Sequence, residues 1–420
     1  MTRKTLADWL QWQESLSPHE IDLGLDRISS VAERLSIRPP AGSVFTIAGT
    51  NGKGSTAYFL QRLMAASGRS TAVYSSPHLV RYNERIQING TAASDSCLVE
   101  SFEAVESERR DVPLTFFEFG TLAAMVTFSR TQTDVWILEV GLGGRLDAVN
   151  IIAPDYSLIT TVALDHQEWL GDTVEEIAAE KAGIMRSTAP AFFGDSLAPA
   201  SVISRAQALD TRLYRLGHDF DYQLNDLTWS WHGKSHVLEG LDLPRVAEGA
   251  QMRNLSLVLA AAEAYDESLL TPAVVNRALQ STLPAGRFQV VQREHQWVLD
   301  VAHNQQAAST LRKRLELLGA AHGTTAVVSL LADKAVGNFI AELADQVDRW
   351  IVCAVDDPRA SRVEDLAAQV EKVTGQTATP GVGPEESFAM AEQFSGDGGR
   401  ILVCGSFRIV GPALQWLGLY

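Results

Sequence analysis

The chain has 420 residues, of which 46% are hydrophobic and 20% charged, so it is long enough to form two globular domains. Its 35 Lys and Arg residues against 51 Asp and Glu give a formal net charge of −16, which opposes binding to nucleic-acid phosphates. The odd number of cysteines, three, makes a disulfide framework unexpected. No apolar run approaches the ~18 residues that span a bilayer, and the first residues lack an apolar export signal. We therefore expect a cytoplasmic protein without disulfides or membrane partners.

In the first part of the chain, short apolar runs alternate with helical patterns, which is typical of an α/β domain with a largely parallel sheet. The predicted strands are 43–48, 71–74, 134–140 and 156–163. The alternation lapses between about 211 and 245, where WSWHGKSHV predicts a hairpin turning at Gly233 and Lys234. A long helix is predicted from about 248 to 265.

The alternation restarts after Leu283-Pro284-Ala285-Gly286, with predicted strands at 296–302, 325–331, 349–355 and 401–405. We therefore predict a larger N-terminal α/β domain, residues 1–283, and a smaller C-terminal α/β domain, residues 284–420.

The strongest local signal is a glycine-rich segment between the first predicted strand and a helix that stops at Gly68. Its sequence is Ala48-Gly49-Thr50-Asn51-Gly52-Lys53-Gly54-Ser55-Thr56. Backbone N–H groups of such a loop can surround phosphate oxygens, and Lys53 supplies a cation for the terminal phosphates. The segment departs from the usual G-x-x-x-x-G-K-[ST] motif, because Ile47 and Gly54 stand where the motif has glycine and a hydroxyl residue. We interpret it as a phosphate cradle, the alternative being a plain strand-to-helix turn.

Since the hydroxyl residue after the lysine is missing, Mg²⁺ would need other ligands. Glu139 and His166 both lie where apolar strands give way to loops, and Ser76 follows the second predicted strand. The carboxyl edge of a parallel sheet is where ligands bind. Taken alone, these three residues are also explained as a surface carboxylate, a loop histidine and part of a Ser-Pro turn.

Lys181 occupies an apolar position of a predicted helix, residues 173–186, which begins with a capping box of Thr173 and Glu176. A long lysine side chain can extend out to solvent, but a buried lysine has a lowered pKa and becomes nucleophilic or open to modification. Both interpretations remain open from the sequence alone.

In the second domain, Arg287 follows the predicted linker, and Asp300 and His303 end its first strand. Arg287 could bind phosphates, and Asp300 could bind a ribose or an amine. Arg287 is also explained as part of a surface ion pair, and His303 as a hydrogen-bonded loop residue. We interpret His232 and His236 as strand residues of the hairpin, because no third metal ligand lies nearby. Leu146 replaces the last glycine of a dinucleotide fingerprint, so NAD binding is not supported.

Nine segments in this order closely resemble the folylpolyglutamate synthases, specifically the bacterial type that is also a dihydrofolate synthase, within the Mur ligases. They are AGTNGKGST, YSSPHLVRYNERI, LTFFEFGT, ILEVGLGGRLDAVN, ALDH, EKAGI, PAGRFQ, LDVAHN and LVCGSF. The resemblance runs from Asp22 to Ser406 and implies an N-terminal P-loop-type mononucleotide-binding domain with a mostly parallel sheet, followed by a Rossmann-like C-terminal domain. The stretches at about 190–245 and 356–396 carry no family motif.

The resemblance also implies roles for individual residues. ATP would be bound by Thr50, Asn51, Gly52, Lys53, Gly54, Ser55, Asn254, Arg287 and Asp300. Magnesium, as two ions, would be held by Ser76, Glu139, His166 and a carbamylated Lys181. The pterin substrate would be bound by Asp22, Leu23, Gly24, Leu25, Thr115, Phe116, Phe117, Glu118, Leu146, Asp147 and Ala148, and glutamate would lie near His303 and Ser406.

The implied activity is ATP-dependent joining of L-glutamate to dihydropteroate and then to folates through an acyl phosphate. We expect a monomer with small-molecule substrates, Lys53, Lys181 and His303 serving the chemistry, and closure of the two domains about a hinge near residue 284. Two alternatives remain. One is a Mur-type ligase for another acid and amino acid, against which DLGL and TFFE argue. The other is a nucleotide-binding regulatory protein, which would not need Glu139, His166 and Lys181 together.

Overall fold

The computed structural model describes residues 4–17, 21–244, 249–279 and 284–420. The chain folds into two compact units, Met1–His78 with Tyr82–Thr282 and Leu79–Arg81 with Leu283–Tyr420. The hinge expected near residue 284 adjoins residues 280–283, which lie outside the described residues. Within the described ranges, every helix is too short or too polar to span a bilayer. The three cysteines are free thiols.

The first unit is built on an eight-stranded sheet of order β4-β3-β2-β5-β1-β6-β7-β8. All neighbours are parallel except β2-β3 and β3-β4. The strands are β1 (Ser43–Ala48), β2 (Thr71–Tyr74), β3 (Ile86–Ile88), β4 (Thr91–Ala92), β5 (Val135–Glu139), β6 (Tyr156–Ile159), β7 (Ala191–Phe193) and β8 (Leu213–Arg215). An antiparallel sheet is formed by β9 (Asp221–Leu224), β10 (Thr228–His232) and β11 (Val237–Asp242), which confirms the predicted hairpin.

Helices are found in all three ranges where the sequence predicts one, together with seven others among the described residues. They are α1 (Leu6–Glu14), α2 (Asp26–Arg34), α3 (Lys53–Ala66), α4 (Asp95–Arg109), α5 (Phe116–Ser129), α6 (Gln167–Leu170), α7 (Val174–Ala182), α8 (Ala200–Ala208), α9 (Gly249–Tyr265) and α10 (Pro272–Leu279). The helix expected to run to residue 186 ends instead at Ala182, where Gly183 packs against Arg145 so closely that a Cβ would lie 2.5 Å from the Arg145 Cα. β5 is buried along its whole length, as expected of a central parallel strand covered on both faces.

The second unit has a six-stranded sheet of order β12-β13-β17-β14-β15-β16, parallel except for the β12-β13 pair. Its strands are β12 (Gln289–Gln292), β13 (Gln296–Leu299), β14 (Thr324–Val328), β15 (Arg349–Cys353), β16 (Thr379–Gly381) and β17 (Arg400–Cys404). Its helices are α11 (Gln305–Leu318), α12 (Val336–Leu343), α13 (Val363–Thr374), α14 (Pro384–Phe394) and α15 (Phe407–Trp416).

Alternate residues of the second sheet enter two different apolar cores. On β13, Val298 packs into one core, and Trp297 and Leu299 pack into the other. This period of two, with both faces covered, explains why the strands read as continuous apolar runs in the sequence. The expected α/β class is therefore confirmed. Glu139, His303 and Ser406 lie at or just after the carboxyl ends of strands, whereas Lys181 and Asn254 lie within helices.

Candidate functional site

The phosphate cradle is the loop that joins β1 to α3. Gly49 (φ +145°) and Gly52 (φ +94°) have backbone angles that favour glycine, and Gly52 caps α3 without a side-chain hydrogen bond. The Lys53 Nζ donates to the carbonyl oxygens of Gly49 at 2.9 Å and Thr50 at 3.2 Å. The loop therefore wraps around the lysine amine, and the start of α3 offers its positive dipole end to an anion.

Hydrogen bonds hold the cradle against the segment that follows β6. The Thr50 backbone N–H donates to the Thr161 carbonyl at 2.8 Å, and the Ala163 N–H donates to the Thr50 hydroxyl at 3.0 Å. The Thr160 hydroxyl donates to the Asn51 carbonyl at 2.7 Å. These contacts explain why β6 ends at Ile159 rather than at the predicted residue 163, because the following threonines serve the cradle instead of the sheet.

Asn254 reaches the same loop from α9. It is 6% exposed, and a Cβ placed on Gly52 would lie 2.6 Å from its Oδ1. The amide therefore packs directly on the cradle, where the family resemblance implies a nucleotide contact.

Two of the predicted metal ligands meet at the end of β5. Glu139 is 3% exposed, and its Oε2 accepts a hydrogen bond from the Ser76 backbone N–H at 3.2 Å. His166 follows β6, on the other side of β1, and its Nε2 lies 3.9 Å from the Asp165 Oδ1. In the described part of the chain, no three His, Cys, Asp or Glu residues form a group able to hold a metal by themselves.

Lys181 is 4% exposed on α7, which begins with the predicted capping box of Thr173 and Glu176. Burial lowers the pKa of Lys181 to about 7, and the positive charge of Lys53 contributes to the same shift. The negative charges of Asp165 and Asp147 act in the opposite direction. The buried amine therefore shares an electrostatic environment with the cradle lysine, which the apolar stripe of its helix did not reveal.

Asp147 brings the segment 146–148 into this environment. Its carboxylate accepts hydrogen bonds from the backbone N–H groups of Leu142 at 2.8 Å and Val149 at 3.0 Å. Burial raises the pKa of Asp147 to about 6, against these hydrogen bonds and the charge of Lys53. A carboxyl group that is buried beside the cradle fits a site that handles charged substrates.

Arg27 connects two of the segments predicted to bind the pterin, and sequence reasoning missed it. Its guanidinium lies 2.8 Å from the Asp22 Oδ2 and 3.1 Å from the Glu118 Oε1. Burial raises the pKa of Glu118, and the hydrogen bond from the Thr115 backbone and the charge of Arg27 oppose this shift. The only signal in the sequence was a cation five residues after Asp22.

The partly exposed rings of Phe116 and Phe117 start α5 beside these acids. The Phe117 ring covers Gly141, where a Cβ would lie only 2.5 Å from it. Nothing lies within 4 Å of a Cβ on Gly24, and Leu23 and Leu25 are half-buried. Aromatic faces with adjacent carboxylates could bind a flat heterocycle that carries N–H donors.

In the second unit, the Asp300 side chain connects the segment before β12 with the loop that follows β13. Its carboxylate accepts hydrogen bonds from the Phe288 N–H at 2.8 Å and the Ala302 N–H at 2.7 Å, and Arg314 lies 3.7 Å away. Burial raises the pKa of Asp300, whereas the charges of Arg314 and Arg287 lower it. Arg287 and Asp300 are thus close enough for their charges to interact, and their nucleotide role stays a prediction.

His303 and Ser406 follow the adjacent strands β13 and β17. The His303 Nδ1 lies 2.9 Å from the Val301 carbonyl, which fixes the orientation of the ring. Ser406 is 3% exposed and caps α15 by accepting a hydrogen bond from the Arg408 N–H at 2.9 Å. Both residues therefore lie at the carboxyl edge of the second sheet.

Comparisons with known proteins show which family the chain resembles. Residues 47–238 match the Mur ligase middle domain, and residues 286–407 match the Mur ligase, glutamate ligase domain. The chain is 40% identical to the dihydrofolate synthase/folylpolyglutamate synthase of Escherichia coli, over 98% of this chain and 95% of that protein. The corresponding protein of Haemophilus influenzae is 34% identical over 96% of each chain.

Solved structures are equally similar. Escherichia coli FolC in complex with DHPP and ADP has a TM-score of 0.92 at 38% identity, covering 99% of this chain and 98% of that one. A bifunctional folylpolyglutamate synthase/dihydrofolate synthase with Mn, AMPPNP and L-glutamate bound has a TM-score of 0.91 at 39% identity, with the same coverage. Because sequence and structure agree over almost the whole length, the chain belongs to the dihydrofolate synthase/folylpolyglutamate synthase family of Mur ligases.

Proposed function

We propose that this protein is an ATP-dependent ligase that joins L-glutamate to dihydropteroate, which forms dihydrofolate, and to tetrahydrofolates, which forms polyglutamates. The observation that carries the proposal is the buried Lys181 within the electrostatic reach of Lys53 and Asp147 beside a phosphate cradle. A protein that only senses nucleotide has no use for a buried lysine amine there. The likeness to relatives that bind ADP, DHPP and L-glutamate supports the same assignment.

The first step activates the acceptor. A carboxylate does not condense with an amine in water, so its oxygen attacks the γ-phosphorus of ATP, ADP leaves, and an acyl phosphate forms. Lys53 and the N–H groups at the start of α3 bind the phosphates and stabilise the charge that moves between them. No side chain of the enzyme becomes covalently attached.

The residues at the edge of the first sheet fit magnesium. Mg²⁺ prefers one or two carboxylates together with water and substrate phosphates, and the buried carboxylate of Glu139 beside the cradle provides such a donor. Ser76, Glu139, His166 and a carbamylated Lys181 would hold two ions. When bound, the ions would neutralise the charge of the phosphate oxygens.

The lowered pKa of Lys181, about 7, supports the carbamate. A neutral amine is the form that adds to carbon dioxide, with loss of a proton, to give an anionic carbamate. At neutral pH an ordinary lysine is almost fully protonated, whereas burial keeps a substantial fraction of Lys181 neutral.

The second step forms the amide. The amine of glutamate attacks the acyl carbon, the nitrogen loses a proton, and phosphate leaves. Residues 1–283 bind the nucleotide and the pterin acid, and residues 284–420 contribute Arg287, Asp300 and the glutamate contacts of His303 and Ser406. Asp22 and Glu118, joined by Arg27, bind the pterin end. We place the enzyme in the cytoplasm, since free thiols are usual in a reducing compartment. We also propose that it acts as a monomer.

Phosphate release from ATP and Mg²⁺ tests the proposal, with L-glutamate and either dihydropteroate, tetrahydrofolate or no acceptor, and with product masses read in parallel. We expect phosphate release only with an acceptor, and both acceptors should gain the mass of one glutamyl residue. If only tetrahydrofolate gains a glutamyl residue, the proposed activity on dihydropteroate is wrong. Turnover of ATP that ignores acceptor and glutamate would instead favour a nucleotide-hydrolysing regulator.

A further inference from the structure

A buried carboxylate joins two arginines at the carboxyl edge of the second sheet. Asp357 follows β15, and its side chain is 1% exposed. The Arg359 Nε lies 3.2 Å from its Oδ1, and the Arg408 Nε lies 2.9 Å from its Oδ2. The two arginine side chains are themselves 41% and 42% exposed. One acid therefore holds two guanidinium groups that both reach solvent.

The strand order fixes where this cluster lies. Arg408 follows β17, Asp357 follows β15, and β14 runs between these two strands. The ion pair of Arg408 and Asp357 therefore crosses over the carboxyl end of β14. The Ala332 N–H in the loop after β14 donates to the Arg359 carbonyl at 2.8 Å, which fixes the backbone of that arginine.

The charges of the cluster favour an anionic ligand. Burial acts to raise the pKa of Asp357, but hydrogen bonds from Arg359 and the charges of Arg359 and Arg408 outweigh it, so the pKa is lowered and the carboxylate stays ionised. Two arginines and one carboxylate leave one net positive charge in a chain whose formal net charge is −16. Against that field, an acidic substrate needs local cations.

The hydrogen bonds of the Arg408 guanidinium indicate which kind of anion the cluster would bind. Arg408 donates to Asp357 through Nε, and its Nη1 and Nη2 make no hydrogen bond to any residue that the structure describes. A guanidinium that presents its outer nitrogens matches the two oxygens of a carboxylate. The glutamate that this enzyme would consume carries one net negative charge, which complements the cluster.

We propose that Arg359 and Arg408, positioned by Asp357, bind the side-chain carboxylate of the incoming glutamate. This assignment rests on the ligase function proposed above. His303, which the family resemblance places near glutamate, follows β13, and β13 lies two strands or about 10 Å from β14. If the reacting amine lies toward His303, the carboxylate farthest from that amine extends toward β14. Arg359 itself lies in the stretch 356–396, which carries no family motif.

The test compares steady-state kinetics of the full-length enzyme and its variants Arg359→Gln and Arg408→Gln, with tetrahydrofolate as acceptor. Each variant should raise the KM for glutamate about 10-fold to 100-fold, because a charge-assisted hydrogen bond is lost, and leave the KM for ATP unchanged. The preference for glutamate over glutamine should fall, because glutamine has no side-chain charge. Arg362→Gln is the matched control, since that side chain is 76% exposed and pairs with Glu364.

Arg408→Lys keeps the positive charge, so it still tests the assignment if a glutamine variant does not fold. We expect it to give an intermediate KM for glutamate. A KM like that of Arg362→Gln in folded Arg359→Gln, Arg408→Gln or Arg408→Lys would overturn the assignment. An equal rise for glutamate and glutamine would overturn it as well, because the arginines would then serve the carboxylate beside the amine. If the unaltered enzyme adds no glutamate, the ligase function itself fails, which separates the two proposals.

Discussion

Replacing Gly52 by alanine tests how the cradle and Asn254 depend on each other. Gly52 has φ +94°, and the new Cβ would lie 2.6 Å from the Asn254 Oδ1 and 3.1 Å from its Nδ2. Gly68 is a matched control, because it has φ +82° and nothing within 4 Å of a new Cβ. An alanine in this left-handed conformation costs about 1 kcal/mol, so both variants carry the same backbone penalty. Only Gly52→Ala must also displace the amide of Asn254.

We therefore expect Gly68→Ala to lose about 1 kcal/mol in the free energy of unfolding, measured by urea denaturation, and Gly52→Ala to lose more, because the buried Asn254 amide must also move. Gly52→Ala alone should weaken ADP binding, measured by calorimetric titration, by about 10-fold or ~1.4 kcal/mol. Equal ADP affinity in the two variants would refute the reasoning, because the contact with Asn254 would then have no bearing on the nucleotide. A loss of affinity in Gly68→Ala would show that backbone strain acts on the site from a distance.

Three further variants probe the charged groups. Burial raises the pKa of Asp147 from 3.8 to about 6, so the folded protein binds this proton more tightly than the unfolded chain does. The free energy of unfolding therefore falls as pH rises through that range. Compared with Asp147→Asn in denaturation experiments, the unaltered protein should lose about 3 kcal/mol of this free energy between pH ~4 and ~7. Lys181→Met should keep or raise the thermal midpoint, because a buried ammonium is costly, while phosphate-release assays show ligation falling roughly 100-fold. Arg27→Gln should raise the KM for dihydropteroate about 10-fold and leave the KM for ATP unchanged, since Arg27 contacts Asp22 and Glu118 and not the cradle.

The elements that the sequence predicted well are those whose pattern is local. β1 and β2 were predicted to the residue, because each is a short Val- or Ile-containing run with a loop signal behind it. β7 and β8 were missed, since three residues such as Ala191–Phe193 and Leu213–Arg215 are too few to show a period. Their strand character comes from pairing with β6 and with each other.

In the site too, features set by local sequence were predictable, and features set by distant contacts were not. The cradle was predictable, because glycines, a lysine and a helix start follow one another along the chain. Arg27 was not, because its partner Glu118 lies 91 residues away and nothing local distinguishes it from a surface arginine. The cluster of Asp357, Arg359 and Arg408 was likewise hidden, since its members meet only where β15 and β17 flank β14. Contacts between distant segments are set by the strand order, which a single sequence does not display.

The most direct test of the account follows heavy oxygen from the acceptor carboxylate. Dihydropteroate labelled in both carboxylate oxygens is incubated with ATP, Mg²⁺ and L-glutamate, and the released phosphate and the pterin product are analysed by mass. Attack of the carboxylate on ATP predicts one labelled oxygen in each phosphate and one in the amide of the dihydrofolate. Phosphate without label, or labelled acceptor recovered unchanged while ATP is consumed, would contradict the acyl phosphate and with it the ligase function.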